Sequence, residues 1–442
     1  MDIIAFLNKY LLGVGVPVLL MLTGIFFCFK LGFFHFLHPL KVIKALFSGQ
    51  KGEGVSSAKA VTLALAGTLG VGNMVGVASA IVLGGAGAVF WMWISALLAM
   101  VLKYAEIVLA MKHRRFDKNG NPHGAATCYI LDLFKGNRTG KIMAGIFALL
   151  CIINAVSMGG MIQVNAASDA ISGTFGIPAI AVGALFSVIA IYAMKKGSNG
   201  ILGFTEKLVP FMSAGFIILS LAVIFRRPEQ ASNAVSLIFK EAFTLKSGMA
   251  GVGGFLFSDA LRYGTMRGIV SNEAGCGTAP AAHAVSSCKE PARQGVWGIF
   301  EVFVDTILLC TLTAIVILTS FSSVGVVGDD MMLTISSYSN VLGSFAGGFL
   351  AISVMCFGLA TVLCWGHYGI ESVAYFSSAS GAKNIFIFVY AGATVLGAVL
   401  SSELIWEIAD FAIGAMTLIN LVVLIAMSSE VKKETQDYFG RR

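Results

Sequence analysis

LALAGTLGVGNMVGVASA, residues Leu63 to Ala80, lies inside an apolar run long enough to cross a bilayer as a helix. Near its middle stand Gly67, Gly70, Gly72 and Gly76, with Thr68 and Asn73 among them. Glycine weakens a helix by about 1 kcal/mol relative to alanine, and an amide in hydrocarbon needs hydrogen-bond partners. Lipid offers none to a freed backbone, so an interruption at membrane depth survives only where it is buried in protein or lines a cavity. The stretch therefore reads as a broken helix. Gly67, Thr68, Gly70 and Gly72 mark the break, and Asn73 is placed to cap the outer half. Gly76, Ala80 and Gly84, at four-residue spacing, read as a small-residue packing face. GVGNMVG misses the GxGxxG spacing and no strand precedes it, which excludes a phosphate-binding loop.

The rest of the chain is written for the same solvent. Of 442 residues, 57% are hydrophobic and 12% charged, with a mean hydropathy of +0.86; soluble proteins carry about 25% charge. An all-α integral membrane protein follows, forming a single domain over 1–442. About eleven spans are expected: 11–31, 58–83, 87–111, 141–169, 178–194, 201–225, 243–265, 295–320, 341–366, 384–402 and 408–428. The start lacks a basic leader and a cleavage site, so the first run is taken as a retained helix. Lys and Arg crowd the loops after alternate spans, giving an outside N-terminus and a cytoplasmic tail, VKKETQDYFGRR, in the plasma membrane. The net charge of +7 has no aromatic-interleaved basic stripe, so nucleic acid is not a partner. Eight cysteines without CxxC spacing and six histidines without an HxxxH pair indicate neither disulfides nor a transition-metal site.

A second interruption is expected in the seventh span, where Gly248, Gly251, Gly253 and Gly254 follow Thr244 and Ser247. Setting aside the N-terminal helix at 11–31, the breaks then fall in the first and sixth helices of a ten-helix core. The halves, 58–225 and 243–428, would be inverted repeats, followed by a tail at 429–442. Matched interruptions in inverted halves are the sequence pointer to a transporter's binding site. The freed N–H groups at a half-helix N-terminus suit a carboxylate, and freed carbonyls suit a cation or ammonium group. A zwitterionic amino acid meets both demands. Among the remaining residues, Gln163 in mid-span is a candidate substrate contact, and Asn165 a lesser one; the other reading is an interhelical hydrogen bond, which Asn165 or Asn154 could equally make.

With these residues in view, the chain resembles the alanine/glycine:cation symporter family. GTLGVGN (67–73), GGAGAVFWMWISALLAMVLKYAE (84–106), MIQVNAASD (161–169), RYGTMRGIVSNEAGCGTAPAAHA (262–284), FGLATVLCW (357–365) and ETQDYF (434–439) carry the resemblance in family order over nearly the whole chain. It implies the leucine-transporter type of fold, with a 5+5 inverted-repeat core and one extra N-terminal helix. It also implies symport of small neutral amino acids, chiefly alanine and glycine, with sodium or in some members protons. Carried over, the substrate contacts fall on Thr68, Gly72, Gln163 and Phe243, to which the glycine patterns add Gly70, Thr244 and Gly251. The ion site falls on Thr361 with the carbonyls of Ala66 and Leu69. Ala360 stands where the family often has a hydroxyl.

The other intramembrane polar residues read as gate or structural groups. Lys103 and Glu106, three apart on one helix face, are expected to form a structural pair. Glu301 and Asp305 share a face and are expected to pair with Arg262, Arg267 or Arg293 at an inner gate. Asn272 and Glu273 are expected in a tight cytoplasmic loop. No nucleotide motif, no catalytic constellation and no full-length polar stripe occurs, which disfavours an ATP-driven pump, an enzyme and a channel. A monomer needing no cofactor is expected, with the bilayer, sodium (or protons) and a small neutral amino acid such as alanine, glycine or serine as its partners.

Overall fold

Backbone groups in lipid must be satisfied within the chain, and helices do this here. The computed structural model describes residues 13–47, 55–116, 120, 122–243, 259–321 and 330–440. Helix α1 (Val16–Lys30) and the short α2 (Phe34–Leu37) and α3 (Pro39–Phe47) come first. Then follow α4 (Ser57–Thr68) and α5 (Gly72–Gly84), bent by 53° across the opening glycines. Next is α6 (Gly87–His113), then a two-stranded antiparallel ribbon of β1 (Arg115–Phe116) and β2 (Pro122–His123) with Arg115 opposite His123. Helices α7 (Ala126–Leu133), α8 (Arg138–Phe175), α9 (Ala179–Lys195), α10 (Ser198–Arg226) and α11 (Pro228–Glu241) complete the first half. There follow α12 (Asp259–Asn272), α13 (Ala279–His283), α14 (Pro291–Ser320), α15 (Asp330–Leu342), α16 (Ser344–Phe376), α17 (Ser380–Gly397), α18 (Ser402–Ala426) and α19 (Ser428–Phe439).

Among the described residues, seven helices are long and apolar enough to cross a membrane, or eight if α4 and α5 count as one span. The expected count of about eleven is larger. Helix α9 is apolar but has only 17 residues, and the expected span 243–265 is described only at Phe243 and from Asp259 onward. Thr244, Gly251 and the rest of that glycine cluster lie outside the described residues.

Glycines let α12 and α14 approach α6. A Cβ on Gly264 of α12 would lie 2.1 Å from Ala88 O, and one on Gly298 of α14 would lie 2.5 Å from Ile107 Cδ1 and 3.0 Å from Lys103 Cγ. Gly84 is packed similarly, 3.0 Å from both Ala88 Cβ and Asp259 O. Gly76 is not: its added Cβ would meet only Arg267 Cδ, at 4.0 Å, so packing does not require a glycine there. Gly264→Ala is therefore expected to lower stability by about 1–3 kcal/mol through overpacking, read as a fall in unfolding temperature in detergent; an unchanged temperature contradicts the close α6–α12 contact.

Besides residues 13–15 at the start of the chain's first described helix, π-helical turns among the described residues lie at Gly72–Gly76, Ala155–Ile162 and Phe303–Cys310. Such turns re-aim side chains and are frequent at functional sites. All three border the region described next.

Candidate functional site: a cavity at two helix interruptions

Helix α4 ends at Thr68 because the chain turns tightly at Leu69. Leu69 has φ −75° and ψ 66°, and Gly70 N–H donates to Thr68 O at 2.8 Å, the geometry of an inverse γ-turn. The turn frees the N–H of Val71, and Gln163 accepts it through Oε1 at 3.1 Å, while Gln163 Nε2 donates to Met158 O at 3.1 Å. Gln163 is 4% exposed, so its amide is a buried group satisfied by an unwound backbone. Gly70 sits between two side chains: an added Cβ would be 2.6 Å from Thr361 Oγ1 and 2.8 Å from Gln163 Oε1. Thr361 Oγ1 lies 3.0 Å from Ala66 O and 3.1 Å from Phe357 O. The structure thus brings Ala66, Gly70, Gln163 and Thr361 together at one point of α4, α8 and α16.

A cavity opens beside this turn. Gly67, Thr68, Gly70, Gly72 and Gln163 line it, facing Glu273 and the apolar side chains of Val270 and Trp406. The space available to a water-sized sphere is only ≈ 10 Å³, about the minimum for a single water. A molecule larger than water fits this pocket only after the walls separate.

Among the described residues a second interruption reaches the cavity, while the glycine cluster at 248–254 lies outside them. This interruption lies at 273–278, between α12 and α13, where Glu273, Gly275 and Gly277 adopt φ of 54°, 85° and 79°. Residues 268–284 are all buried, so SNEAGCG is part of the interior and not a surface loop. Glu273 in a left-handed conformation is uncommon for a residue with a side chain. Its Oε1 accepts from Trp365 Nε1 at 2.9 Å and its Oε2 from Thr278 Oγ1 at 2.7 Å. Asn272 Oδ1 caps the turn through Ala274 N–H at 3.0 Å.

The charged groups expected at a gate do meet, with other partners. Lys103 Nζ pairs with Glu301 Oε1 at 3.0 Å, both side chains 1% exposed, and donates to Asn272 O at 2.8 Å. Thr68 Oγ1 reaches the same Glu301 oxygen at 3.4 Å, and His283 Nε2 meets Oε2 at 3.2 Å. Glu106 does not pair with Lys103. Its Oε1 accepts from Gly277 N–H at 2.8 Å and from Asn420 Nδ2 at 2.5 Å, locking α6 to the second interruption and α18. Asp305 takes no arginine either: it accepts from Asn73 Nδ2 (2.7 Å), Ser271 Oγ (2.7 Å) and Thr306 Oγ1 (2.8 Å). Arg267 instead lies 3.8 Å from Asp410 and 4.6 Å over the Trp406 ring. The i, i+3 spacing places Lys103 and Glu106 on one face, but tertiary neighbours supply stronger partners than a helix-surface pair does.

Phe243 stands apart. It is 59% exposed and edge-on to Phe90 and Trp91 at the start of α6, outside the cavity lining. Asn165 donates to Gly397 O (3.0 Å) and Leu400 O (3.1 Å), an interhelical tie. From sequence, Glu273 is singled out only as a gate or structural residue of a cytoplasmic loop; the structure places it in the cavity wall. Met158, Ile162, Val270 and Trp406 also line the cavity and carry no local signal that sets them apart from ordinary apolar residues.

Comparison with known proteins bears on this geometry. A family model described as the sodium:alanine symporter family matches residues 1–442. The chain is 34% identical over 440 residues to the sodium/alanine symporter AgcS of Methanococcus maripaludis, covering 98% of this chain and 95% of that one. It is 35% identical over 444 residues to an uncharacterized transporter of Haemophilus influenzae, covering 100% and 96%. Among solved structures, MhsT in complex with L-phenylalanine matches with a TM-score of 0.61 at 12% identity, over 87% of this chain and 93% of that one. At that identity the likeness shows the fold alone, the leucine-transporter type.

Proposed function

The chain belongs to the sodium:alanine symporter family, and on that premise we propose that it takes up a small neutral amino acid, alanine or glycine, together with sodium by alternating access. The single observation that carries this reading is the interrupted α4–α5 helix, with Val71 N–H held by Gln163 in the wall of a buried cavity. Unwound backbone next to a closed polar pocket is where transporters of this architecture bind cargo. Thr68, Gly70, Gly72 and Gln163 are the proposed substrate contacts. Ala66 O and Thr361 Oγ1, 3.0 Å apart, are the proposed core of the sodium site, with Leu69 O adjacent in sequence; such oxygen donors suit a hard cation.

The shared element order of α4–α11 and α12–α19 supports an inverted repeat whose sixth core helix is α12–α13. We place the N-terminus outside and the tail inside the cell membrane, in a monomer, from the distribution of Lys and Arg. Lys103–Glu301, with Thr68 attached, is proposed to hold the inner half-helix α4 shut, so that release requires this pair to separate from Thr68.

Thr361→Ala tests the ion site. The expected result is a rise of about tenfold or more in the sodium concentration for half-maximal alanine binding, the scale of losing one ligand to a charge. Unchanged sodium dependence removes Thr361 from the site. Proton coupling is the second reading, favoured by Ala360, which brings no hydroxyl to the ion site; sodium replacement at fixed pH separates the two. Binding of all common amino acids, with and without sodium, identifies the cargo.

A further inference from the structure

Among the described residues, Glu273 is the one ionisable residue lining the cavity. It is 1% exposed and held at φ 54°, a conformation that costs about 1–3 kcal/mol and persists only where the surroundings enforce it. Its carboxylate receives two hydrogen bonds, both from neutral groups, Trp365 Nε1 and Thr278 Oγ1. A carboxylate has about four lone-pair positions, so half of its accepting capacity remains. Lys103, which donates to the carbonyl of the adjacent Asn272 at 2.8 Å, is already paired with Glu301 Oε1 at 3.0 Å. A buried carboxyl group whose two oxygens both accept, with no cation of its own among the described residues, is completed by a positively charged partner. The cavity's remaining polar lining is neutral: the backbone turn at Gly70, the Thr68 hydroxyl and the Gln163 amide.

We propose that Glu273 is the specificity residue that binds the ammonium group of the cargo, so that the cavity selects amino acids over carboxylates lacking an amine. The two interruptions then divide the work. The α4–α5 turn, whose Gly70 and Val71 N–H groups donate to Thr68 O and Gln163 Oε1, leaves the backbone at Gly72 for the cargo's carboxylate, and the α12–α13 turn presents the Glu273 carboxylate to its amine. The left-handed backbone at Glu273 places that charge in the wall, and Trp365 and Thr278 keep it there. A hydroxy acid such as lactate has the same carboxylate and carbon skeleton but brings no positive charge, so Glu273 rejects it. This inference rests on the cavity being the substrate site.

The test is equilibrium binding of labelled alanine to the purified full-length protein at saturating sodium, with unlabelled alanine and lactate as competitors. The wild-type protein is expected to bind alanine and to discriminate strongly against lactate. Glu273→Gln, monodisperse and with a wild-type melting temperature, is expected to bind alanine about 10- to 100-fold more weakly, with the alanine-to-lactate ratio falling by the same factor. Alanine affinity unchanged in Glu273→Gln overturns the proposal. A fall in alanine and lactate affinity by one common factor also overturns it, since that is what a merely structural role of the turn gives. If Glu273→Gln does not fold, Glu273→Asp carries the same measurement: an intermediate ratio supports the proposal and a wild-type ratio overturns it. Failure of the wild-type protein to bind any amino acid refutes the substrate site itself, which is a separate outcome.

Discussion

Gly70→Ala is expected to abolish alanine uptake, by 100-fold or more, in a protein that still folds. The added methyl would sit 2.6 Å from Thr361 Oγ1 and 2.8 Å from Gln163 Oε1, where about 3.4–4 Å is ordinary contact. Both side chains must move by roughly 1 Å, and a displacement of that size at a functional centre costs about 10²-fold. The proposed ion ligand and the proposed substrate ligand are disturbed by one carbon. Gly76→Ala is the control: its methyl meets nothing closer than Arg267 Cδ at 4.0 Å, so uptake should stay near wild type. Equal loss in both variants would mean that the half-helix as a whole, and not the Gly70 contact, governs transport.

Lys103→Met is expected to destabilise the protein by about 3–5 kcal/mol, because it leaves Glu301 buried without its cation. Both side chains are 1% exposed, so water cannot substitute for the lost partner, and Asn272 O loses a donor as well. Removing the charge on both sides, in Lys103→Met with Glu301→Gln, should recover most of the stability, since replacing a whole buried pair is often close to neutral. Transport should not recover with it if the pair holds α4 shut through Thr68. Thermal unfolding in detergent reads the first effect and proteoliposome uptake the second. A single variant as stable as the wild type would falsify the account of Lys103.

What the sequence made legible follows from physics that acts locally. An apolar run must be helical in lipid, and glycine with threonine and asparagine in its middle must interrupt it; the turn at Leu69 and Gly70 lies where that argument places it. The second interruption was sought by glycine density at 248–254, which lies outside the described residues. Among the described residues, the one that reaches the cavity is set by three left-handed residues, Glu273, Gly275 and Gly277, and the sequence alone placed the polar residues of SNEAGCG in a tight cytoplasmic loop without naming their partners. They are instead paired inside the protein, with Lys103, Thr306, Trp365 and Thr278. The partners of Lys103, Glu106 and Asp305 were illegible for a related reason. Same-helix spacing says which face a side chain occupies, but Glu301, Asn420 and Ser271 come from residues 34–314 positions distant. Phe243 illustrates the limit of a sequence match alone, since its ring packs on Phe90 and Trp91 and not on the cavity.

The central claim is that the cavity at the two interruptions belongs to a sodium-coupled amino-acid carrier. It is tested most directly by labelled alanine uptake into proteoliposomes at fixed pH, with and without an inward sodium gradient. The account predicts transient accumulation above equilibrium that requires the sodium gradient and disappears in Gly70→Ala. Accumulation that persists when sodium is replaced on both sides, or that survives Gly70→Ala unchanged, would contradict it.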